Sequence, residues 1–289
     1  MRDVAPQERG DAAGPASGSA IHFDGVSKSF VLSGGEHVHA IDNVHLRVPA
    51  NQFVAIVGPS GCGKSTLLRL ADGLVAPDAG RVSIAGSAPK PGPGIGMMFQ
   101  NFRLIPWRNV AGNVGFALES SGLRRAAIDE YVQKQLQQVG LARWSNHYPA
   151  QLSGGMKQRV ALARALVGGP QIVLMDEPFA SLDAQTRELM QDDLLALWDR
   201  QRPTIVFVTH SVDEALMLAD RVLVMGGGRV LDDIMVGLPR PRIPTDAEQA
   251  GPYGQLRRHI WHRIRDLVMA DPNSAFFGRT GSAPESGIR

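Results

Sequence analysis

The chain has 289 residues, which suits one large α/β domain or two small ones, and 44% of its residues are hydrophobic, enough for a buried core. Its formal net charge of +2 does not indicate a general nucleic-acid-binding surface, and its single cysteine, Cys62, excludes an intrachain disulfide and a cysteine-based zinc site. No apolar run approaches the roughly 18 to 20 residues that cross a bilayer. Residues 1–20 lack the apolar segment of a secretory signal, so we expect a cytosolic protein.

The first third of the chain is predicted to be rich in strands. Residues 1–20 are rich in small and polar residues and are predicted to be disordered, so the folded part should begin near Ile21. The strand-like runs are Ile21–Phe23, Val44–Val48, Phe53–Val57, Arg81–Ile84 and Ile95–Phe99. Between about residues 105 and 168 the apolar residues recur at helical spacing, which predicts an inserted helical segment.

The rest of the chain alternates between strands and helices. Strands are predicted at Ile172–Met175, Ile205–Thr209 and Val222–Met225, with helices over about 186–200 and 212–219. This alternation is typical of a mainly parallel sheet covered by helices.

After a hairpin through the glycines 226–228, the sequence predicts a linker, a helix and a disordered tail. The linker contains Pro239, Pro241 and Pro244, and the helix spans Gln255–Ala270. Leu256, Ile260, Ile264 and Leu267 share one face of this helix, which should pack on the core or on a partner.

A phosphate-binding loop is the most informative motif. Residues 58–65 read G-P-S-G-C-G-K-S and fit the pattern G-x-x-x-x-G-K-[ST] between an apolar strand and a helix. Backbone N–H groups and the helix N-terminus can surround phosphates, Lys64 adds a positive charge, and the Ser65 hydroxyl can ligate Mg²⁺. The predicted nucleotide-binding residues are Gly58, Pro59, Ser60, Gly61, Cys62, Gly63, Lys64, Ser65 and Thr66. Cys62 invites the idea of a redox switch, but a small tolerated loop residue is the simpler interpretation.

Polar residues follow three of the predicted strands. Asp176 and Glu177 come directly after an apolar strand, where Asp176 can reach Mg²⁺ and Glu177 can face the attacking water. His210 follows another strand, which places an imidazole near the γ-phosphate, and Gln100 could carry an amide to the metal or the water. Alone, a histidine or glutamine at a strand end is more often structural, so these roles depend on the combination with the phosphate loop.

A second anion site is predicted at the N-terminus of a helix in the middle of the chain. Ser153 is a suitable N-cap, and Gly154 and Gly155 would expose N–H groups at that helix N-terminus. Because the phosphate loop already accounts for the phosphates of one nucleotide, two such sites suggest two subunits arranged head to tail. An ordinary capped helix is the alternative.

Taken together and in this order, these motifs resemble the ATP-binding cassette of ABC transporters over about residues 21–235. The resemblance implies an α/β P-loop NTPase fold of RecA type, with a mainly parallel core, an antiparallel β subdomain and a helical subdomain inserted over about 105–168. Residues 236–289 would then form the proline-rich linker, the C-terminal helix and the tail. It also implies an ATPase that uses ATP and Mg²⁺.

The resemblance assigns a role to each motif. Phe30 would stack on adenine, although an aromatic residue in a strand is more often part of the core. Mg²⁺ would be held by Ser65, Gln100 and Asp176, and Glu177 and His210 would be catalytic. Ser153, Gly154, Gly155 and Asp183 would contact the nucleotide bound to a second copy of the chain.

Within that family, the finer similarity is to the ATPases of nitrate, taurine and aliphatic sulfonate importers. It rests on the segments 92–100 and 104–107, on Met156, and on Leu238–Arg242. It implies a location at the cytoplasmic face of the inner membrane, with permease subunits and a second copy as partners and an extracytoplasmic solute-binding protein as an indirect one. Nucleic acid is not expected. Ser211 departs from the aspartate common in the family but retains the helix cap, so little loss is expected there. Met156 and the segment near Gly94 also depart from common family residues, and these differences leave the solute open.

Two other functions fit the phosphate loop. A soluble cassette ATPase that remodels DNA or ribosomal complexes would need a basic tract or a second cassette, and a P-loop kinase leaves residues 152–158 without a purpose. A further hypothesis concerns the segment Asn101–Asn109, which with the helical insert could receive a short permease helix, with Trp107 as an apolar anchor. A core position for Trp107 is the alternative.

Overall fold

The computed structural model describes residues 19–31, 35, 37–92, 94–242, 251–272 and 274–278. The disorder predicted for residues 1–18 and 279–289, and the part of the predicted linker that includes Pro244, lie outside the described residues.

The described elements follow the predicted order. The strands are β1 Ser19–Val31, β2 His37–Pro49, β3 Phe53–Val57, β4 Ala79–Ile84, β5 Ile95–Met98, β6 Ile172–Asp176, β7 Thr204–Val208, β8 Arg221–Gly226 and β9 Arg229–Met235. The helices are α1 Lys64–Asp72, α2 Val110–Gly115, α3 Arg125–Gln138, α4 Gly154–Leu166, α5 Ala184–Gln201, α6 Val212–Leu218 and α7 Pro252–Ala270.

A six-stranded sheet forms the centre, in the order β5-β6-β7-β3-β8-β9. The first five strands are parallel, and β9 pairs antiparallel with β8. Strands β3, β6 and β7 are buried at every residue, because both faces of a parallel sheet are covered, and they therefore read as continuous apolar runs. The predicted α/β fold with a mainly parallel core is confirmed.

The two faces of this sheet bury different clusters. On one face, residues such as Phe53 and Phe207 pack against α4, α5, α6 and α7. On the other face, Val54 and Val206 pack against α1 and a second sheet of order β2-β1-β4. Alternate residues of each strand thus join different cores, as the period of two requires.

The antiparallel ribbon β1–β2 is much longer than the predicted runs Ile21–Phe23 and Val44–Val48. Register shifts interrupt the β1–β2 pairing at several points, including between Phe23 and Val26. Each bulge displaces the alternation of apolar and polar residues, so the periodic signal ends before the strand does.

The helical segment lies between β5 and β6 and has its own apolar cluster, which includes Val114, Leu136 and Val160. Helix α7 packs on the main core, where Ile260 is buried and Leu256, Ile264 and Leu267 lie against the cluster. Of the two predicted alternatives for this helix face, the core or a partner, the structure shows packing on the core. In the described part of the chain, every helix is too short or too polar to cross a bilayer.

One buried charge in this fold opposes stability. Asp72, the last residue of α1, is only 4% exposed, and burial raises the pKa of its carboxyl from 3.8 to about 6. Among the described residues its carboxylate has no hydrogen-bond or ion-pair partner. Above pH 6 the folded protein must therefore hold an ionised carboxylate that water would solvate better.

Asp72→Asn should stabilise the fold at neutral and alkaline pH. Because the folded-state pKa is the higher one, the penalty is absent below pH 3.8, grows through the interval up to about pH 6 and is complete above it. The gain should reach up to about 3 kcal/mol at pH 8. Urea unfolding between pH 4 and pH 8 measures it, with the exposed Asp192→Asn as control. A gain that does not change with pH would show that the charge of Asp72 is not its cause.

Candidate nucleotide site

Four neighbouring parallel strands bring the predicted residues to one edge of the sheet. Val208 of β7 is in register with Asp176 of β6 and with Ile56 of β3, so the chain leaves these strands at the same level. A cavity of about 310 Å³ lies at this edge. It is lined by Ala40, Ser60, Gly61, Gly63, Lys64, Ser65, Thr66, Gln100, Glu177 and His210. Most of the residues predicted to act on one nucleotide therefore meet here.

The phosphate loop follows β3 and depends on glycine at two points. A Cβ at Gly58 would lie 2.2 Å from the Met225 carbonyl oxygen, and one at Gly63 would lie 2.1 Å from the Ala40 carbonyl oxygen. Gly63 also has a φ of 104°, in the region that favours glycine, and is the N-cap of α1. The close backbone contacts fix the curve of the loop, with the N-terminus of α1 at the cavity.

Lys64 and Cys62 are both buried in this loop, but only Lys64 has strong hydrogen-bond partners. The Lys64 ammonium is buried and donates to the Gly58 and Pro59 carbonyl oxygens at 2.9 and 2.7 Å. The Cys62 thiol is also buried, 3.8 Å from the Lys64 Nζ, and burial raises its pKa. A raised pKa disfavours the reactive thiolate, which supports the structural interpretation of Cys62 over a redox switch.

The Ser65 hydroxyl joins the loop to β6 by donating to Asp176 Oδ1 at 2.9 Å. Asp176 is buried, and burial is the main cause that raises its pKa, while the Ser65 hydroxyl and the nearby Arg69 and Lys64 oppose the shift. A buried carboxylate beside a hydroxyl suits a hard cation such as Mg²⁺, which proteins bind through one or two carboxylates together with substrate phosphates. In the described residues, no three His, Cys, Asp or Glu side chains form a metal site by themselves. The donors therefore fit a metal ion that is bound together with phosphate.

Glu177 is held by two of the predicted partners. Its Oε1 lies 2.5 Å from His210 Nε2, and its Oε2 accepts a hydrogen bond from Gln100 Nε2 at 2.9 Å. Glu177 has a φ of 47°, a left-handed conformation that costs on the order of 1–3 kcal/mol in a residue other than glycine. Such strain is concentrated at functional sites, and here it turns the carboxylate towards the cavity.

The turn at His210 is fixed by residues on either side of it. Ser211 is the N-cap of α6 and accepts from the Glu214 N–H at 3.2 Å, as the predicted capping box requires. The carboxylate of Glu214, however, accepts from the Thr209 hydroxyl at 2.5 Å, and burial raises its pKa. Sequence reasoning gave no role to Thr209 and missed Ala40, because neither residue type carries a chemical signal.

Phe30 is not among the cavity-lining residues, but it lies on the β1–β2 ribbon that also carries Ala40. It pairs with Val38 in the β1–β2 register, and Ala40, two residues further on, lines the cavity. The ring is 37% exposed, which excludes the alternative of a core residue. An exposed ring can stack on a planar group.

The second predicted anion site lies elsewhere on the chain. Ser153 is exposed at the start of α4 and accepts from the Met156 N–H at 3.3 Å, and Asp183 caps α5 by accepting from the Thr186 N–H at 2.9 Å. A Cβ at Gly155 would lie 3.1 Å from Thr186 Cγ2, so the two helix starts are adjacent. Ser153, Gly154, Gly155 and Asp183 do not line the cavity of their own chain. They form a separate exposed surface.

Comparison with known proteins agrees with this geometry. The profile of the ABC transporter family matches residues 41–180. An aliphatic sulfonates import ATP-binding protein of Pectobacterium atrosepticum is 46% identical over 86% of this chain and 88% of its own length. A nitrate import ATP-binding protein of Synechococcus elongatus is 41% identical over 82% of this chain and 88% of its own length. A dimeric ATP-binding cassette solved in a post-hydrolysis state with ADP and phosphate matches with a TM-score of 0.67 and 32% identity, over 76% of this chain and all of that one.

Asp176→Asn should weaken the dependence of nucleotide binding on Mg²⁺. If Asp176 and Ser65 hold the metal, the wild-type protein will bind a fluorescent ATP analogue more tightly with Mg²⁺ than with EDTA. The ratio of these two affinities should be about 10-fold or more lower in the variant. Equilibrium titration with and without Mg²⁺ measures the difference. Asp129→Asn, which changes an exposed carboxylate on α3, is the control. An unchanged Mg²⁺ effect in Asp176→Asn would place the metal elsewhere.

Proposed function

The chain belongs to the ABC transporter family as an ATP-binding ATPase subunit, and on that premise we propose that it energises an importer of nitrate-, aliphatic sulfonate- or taurine-like solutes. The observation that carries the proposal is the contact of Glu177 with His210 and Gln100 beside the phosphate loop. The solute class is supported by the sulfonate and nitrate relatives. The protein would bind peripherally at the cytoplasmic face of the inner membrane through permease subunits, and the extracytoplasmic solute-binding protein would act on it only through them.

In the proposed reaction, the loop and α1 bind the phosphates while β6 and β7 supply the chemistry. Lys64 would exchange its two loop carbonyls for phosphate oxygens, and Phe30 would contact the adenine. Glu177 would accept a proton from a water whose oxygen attacks the γ-phosphorus, as the bond to the β–γ bridging oxygen breaks and its electrons leave with ADP. His210 would hold the γ-phosphate in line. Ser65, Asp176 and Gln100 would hold Mg²⁺, whose positive charge would stabilise the negative charge that develops on the phosphate oxygens.

A second copy of the chain would complete the site. Ser153 and Gly154 lie on a surface away from the cavity of their own chain, and they offer a capped helix N-terminus to an anion. In a head-to-tail pair, this surface of each chain would close over the nucleotide held by the other, giving two equivalent sites. The dimeric cassette structure that matches this chain supports such a pair.

Mixing two inactive variants tests this arrangement. Lys64→Ala damages the phosphate loop and Ser153→Glu damages the opposing surface. If the sites form between chains, each mixed dimer has one site with both changes and one intact site. Half of the dimers in an equal mixture are mixed, so ATPase activity should recover to at most about a quarter of wild type. Steady-state phosphate release measures it.

The matched control mixes Lys64→Ala with Glu177→Gln. Both residues lie in the same half of the site, so the mixed dimers have no intact site and should remain inactive. Recovery in this control, or no recovery in the first mixture, would contradict a site shared between chains.

A groove on the helical segment is the proposed permease site. It encloses about 550 Å³ between the segment around Trp107, helix α2 and helix α3, and Trp107 is 79% exposed at its edge. This exposure excludes the alternative of a core position. Ile128 and Val132 line the groove together with Arg108 and Asp129, so it offers apolar contacts with a polar rim. A short amphipathic helix of a membrane subunit suits such a surface.

Trp107→Ala should abolish permease binding while leaving the ATPase activity of the isolated subunit within about 2-fold of wild type, since interface tryptophans often dominate binding energy. Affinity purification from detergent-solubilised cells, followed by identification of bound proteins, measures it. Wild type should retain a multi-spanning membrane protein. Trp261→Ala removes a tryptophan that is half exposed on α7, and this control variant should retain it too. Equal retention by both variants would contradict the groove assignment.

A further inference from the structure

The C-terminal part of the chain holds helix α6 at both ends. At the first turn of α6, Asp213 Oδ1 and Oδ2 accept from the Arg257 guanidinium at 2.6 and 3.1 Å, and Asp213 Oδ1 also accepts from the Tyr253 hydroxyl at 3.3 Å. Burial and the Asp213 carboxylate raise the pKa of Tyr253 to about 12, so the phenol remains a donor at neutral pH. Tyr253 and Arg257 lie one turn apart on α7.

At the other end of α6, two arginines bind the carbonyl groups that a helix terminus leaves free. Arg242 Nη1 donates to the Leu216 and Ala219 carbonyl oxygens at 2.8 and 2.5 Å, and Arg240 donates to that of Leu218. Arg242 is buried, and its charge suits the negative end of the helix dipole.

The first turn of α6 is connected directly to His210. The Glu214 backbone N–H donates to the Ser211 hydroxyl, and the Glu214 carboxylate accepts from the Thr209 hydroxyl. His210 lies between Thr209 and Ser211, and its imidazole contacts Glu177. A shift of the first turn of α6 would therefore change the position of His210 against Glu177, and small displacements of reacting groups cost rate.

We propose that Asp213, Tyr253 and Arg257 are positioning residues for ATP hydrolysis, through which α7 holds His210 against Glu177. This inference rests on the roles proposed above for His210 and Glu177. It gives the C-terminal helix a task in the reaction, although α7 does not line the nucleotide cavity. The same link would let any partner that displaces α7 slow hydrolysis.

The chain offers a matched pair of variants to test it. Arg257 and Arg263 lie on the same helix and make the same kind of ion pair, since Arg263 donates to Asp232 of β9 at 2.6 and 3.4 Å. Both arginines are partly exposed, so Arg257→Met and Arg263→Met should each leave folding nearly unchanged. Of the two, only Arg257→Met removes a contact with the first turn of α6. Arg257→Lys retains the charge.

With full-length protein, Arg257→Met should lower kcat for ATP about 3- to 5-fold with KM nearly unchanged, because the phosphate-binding residues are untouched. Arg263→Met should retain wild-type kcat, and Arg257→Lys should restore at least half of it. In ¹H–¹³C correlation NMR spectra, the ring signals of His210 can be assigned by comparison with His210→Ala. Their chemical shifts should change in Arg257→Met and not in Arg263→Met.

Both readouts are required. If Arg257→Met and Arg263→Met give the same kcat, or if kcat falls without a shift of the His210 signals, the positioning role is wrong. If wild-type protein hydrolyses no ATP, the proposed function fails, and the His210 signals alone then decide whether α7 holds this residue.

Discussion

The parallel register of β5, β6, β7 and β3 is the constraint on which the site depends. In this order, the ends of four strands that are far apart in sequence meet at one edge of the sheet. Gln100, Glu177, His210 and the phosphate loop each begin within two residues of the end of one of these strands. A shift of one residue between β6 and β7 would move Glu177 along the edge and turn its side chain to the other face, away from His210. The buried apolar side chains of these strands, which fix the register, are therefore as necessary to the site as its polar groups.

The charges of the site would suit a phosphate chain that is bound together with a metal ion. Lys64 is a buried cation held by backbone carbonyls, and Asp176 is a buried acid held by the Ser65 hydroxyl. Each is satisfied by neutral partners. A direct Lys64–Asp176 ion pair would neutralise both groups and leave less charge to attract a ligand. Phosphate can then replace the carbonyls around Lys64 while a cation joins Asp176. Little rearrangement is needed, which favours binding.

The sequence predicted the parts whose chemistry is local. The phosphate loop, the strand that ends in Asp176 and Glu177, and the cap at Ser211 are each contained in a few residues, so their patterns could be recognised. The extent of β1 and β2 could not be predicted, because bulges break their periodicity. The position of Ala40 on the cavity, the bond from Thr209 to Glu214 and the pairing of Arg257 with Asp213 depend on contacts across the fold. Nothing in the residue types themselves signals them.

The exposed surface around Ser153 and Asp183 contains two helix caps that differ in charge and in hydrogen bonding. Ser153 accepts a hydrogen bond from the Met156 N–H, which leaves its own hydroxyl proton free to donate to an anion. Asp183 accepts from both the N–H and the hydroxyl of Thr186, and these bonds hold its pKa below the usual range, so it remains an anion. An anion cannot favourably contact phosphate oxygens. In the proposed head-to-tail dimer, Asp183 would therefore fix the start of α5 beside Gly155, and the phosphate contacts would come from Ser153 and the N–H groups of α4.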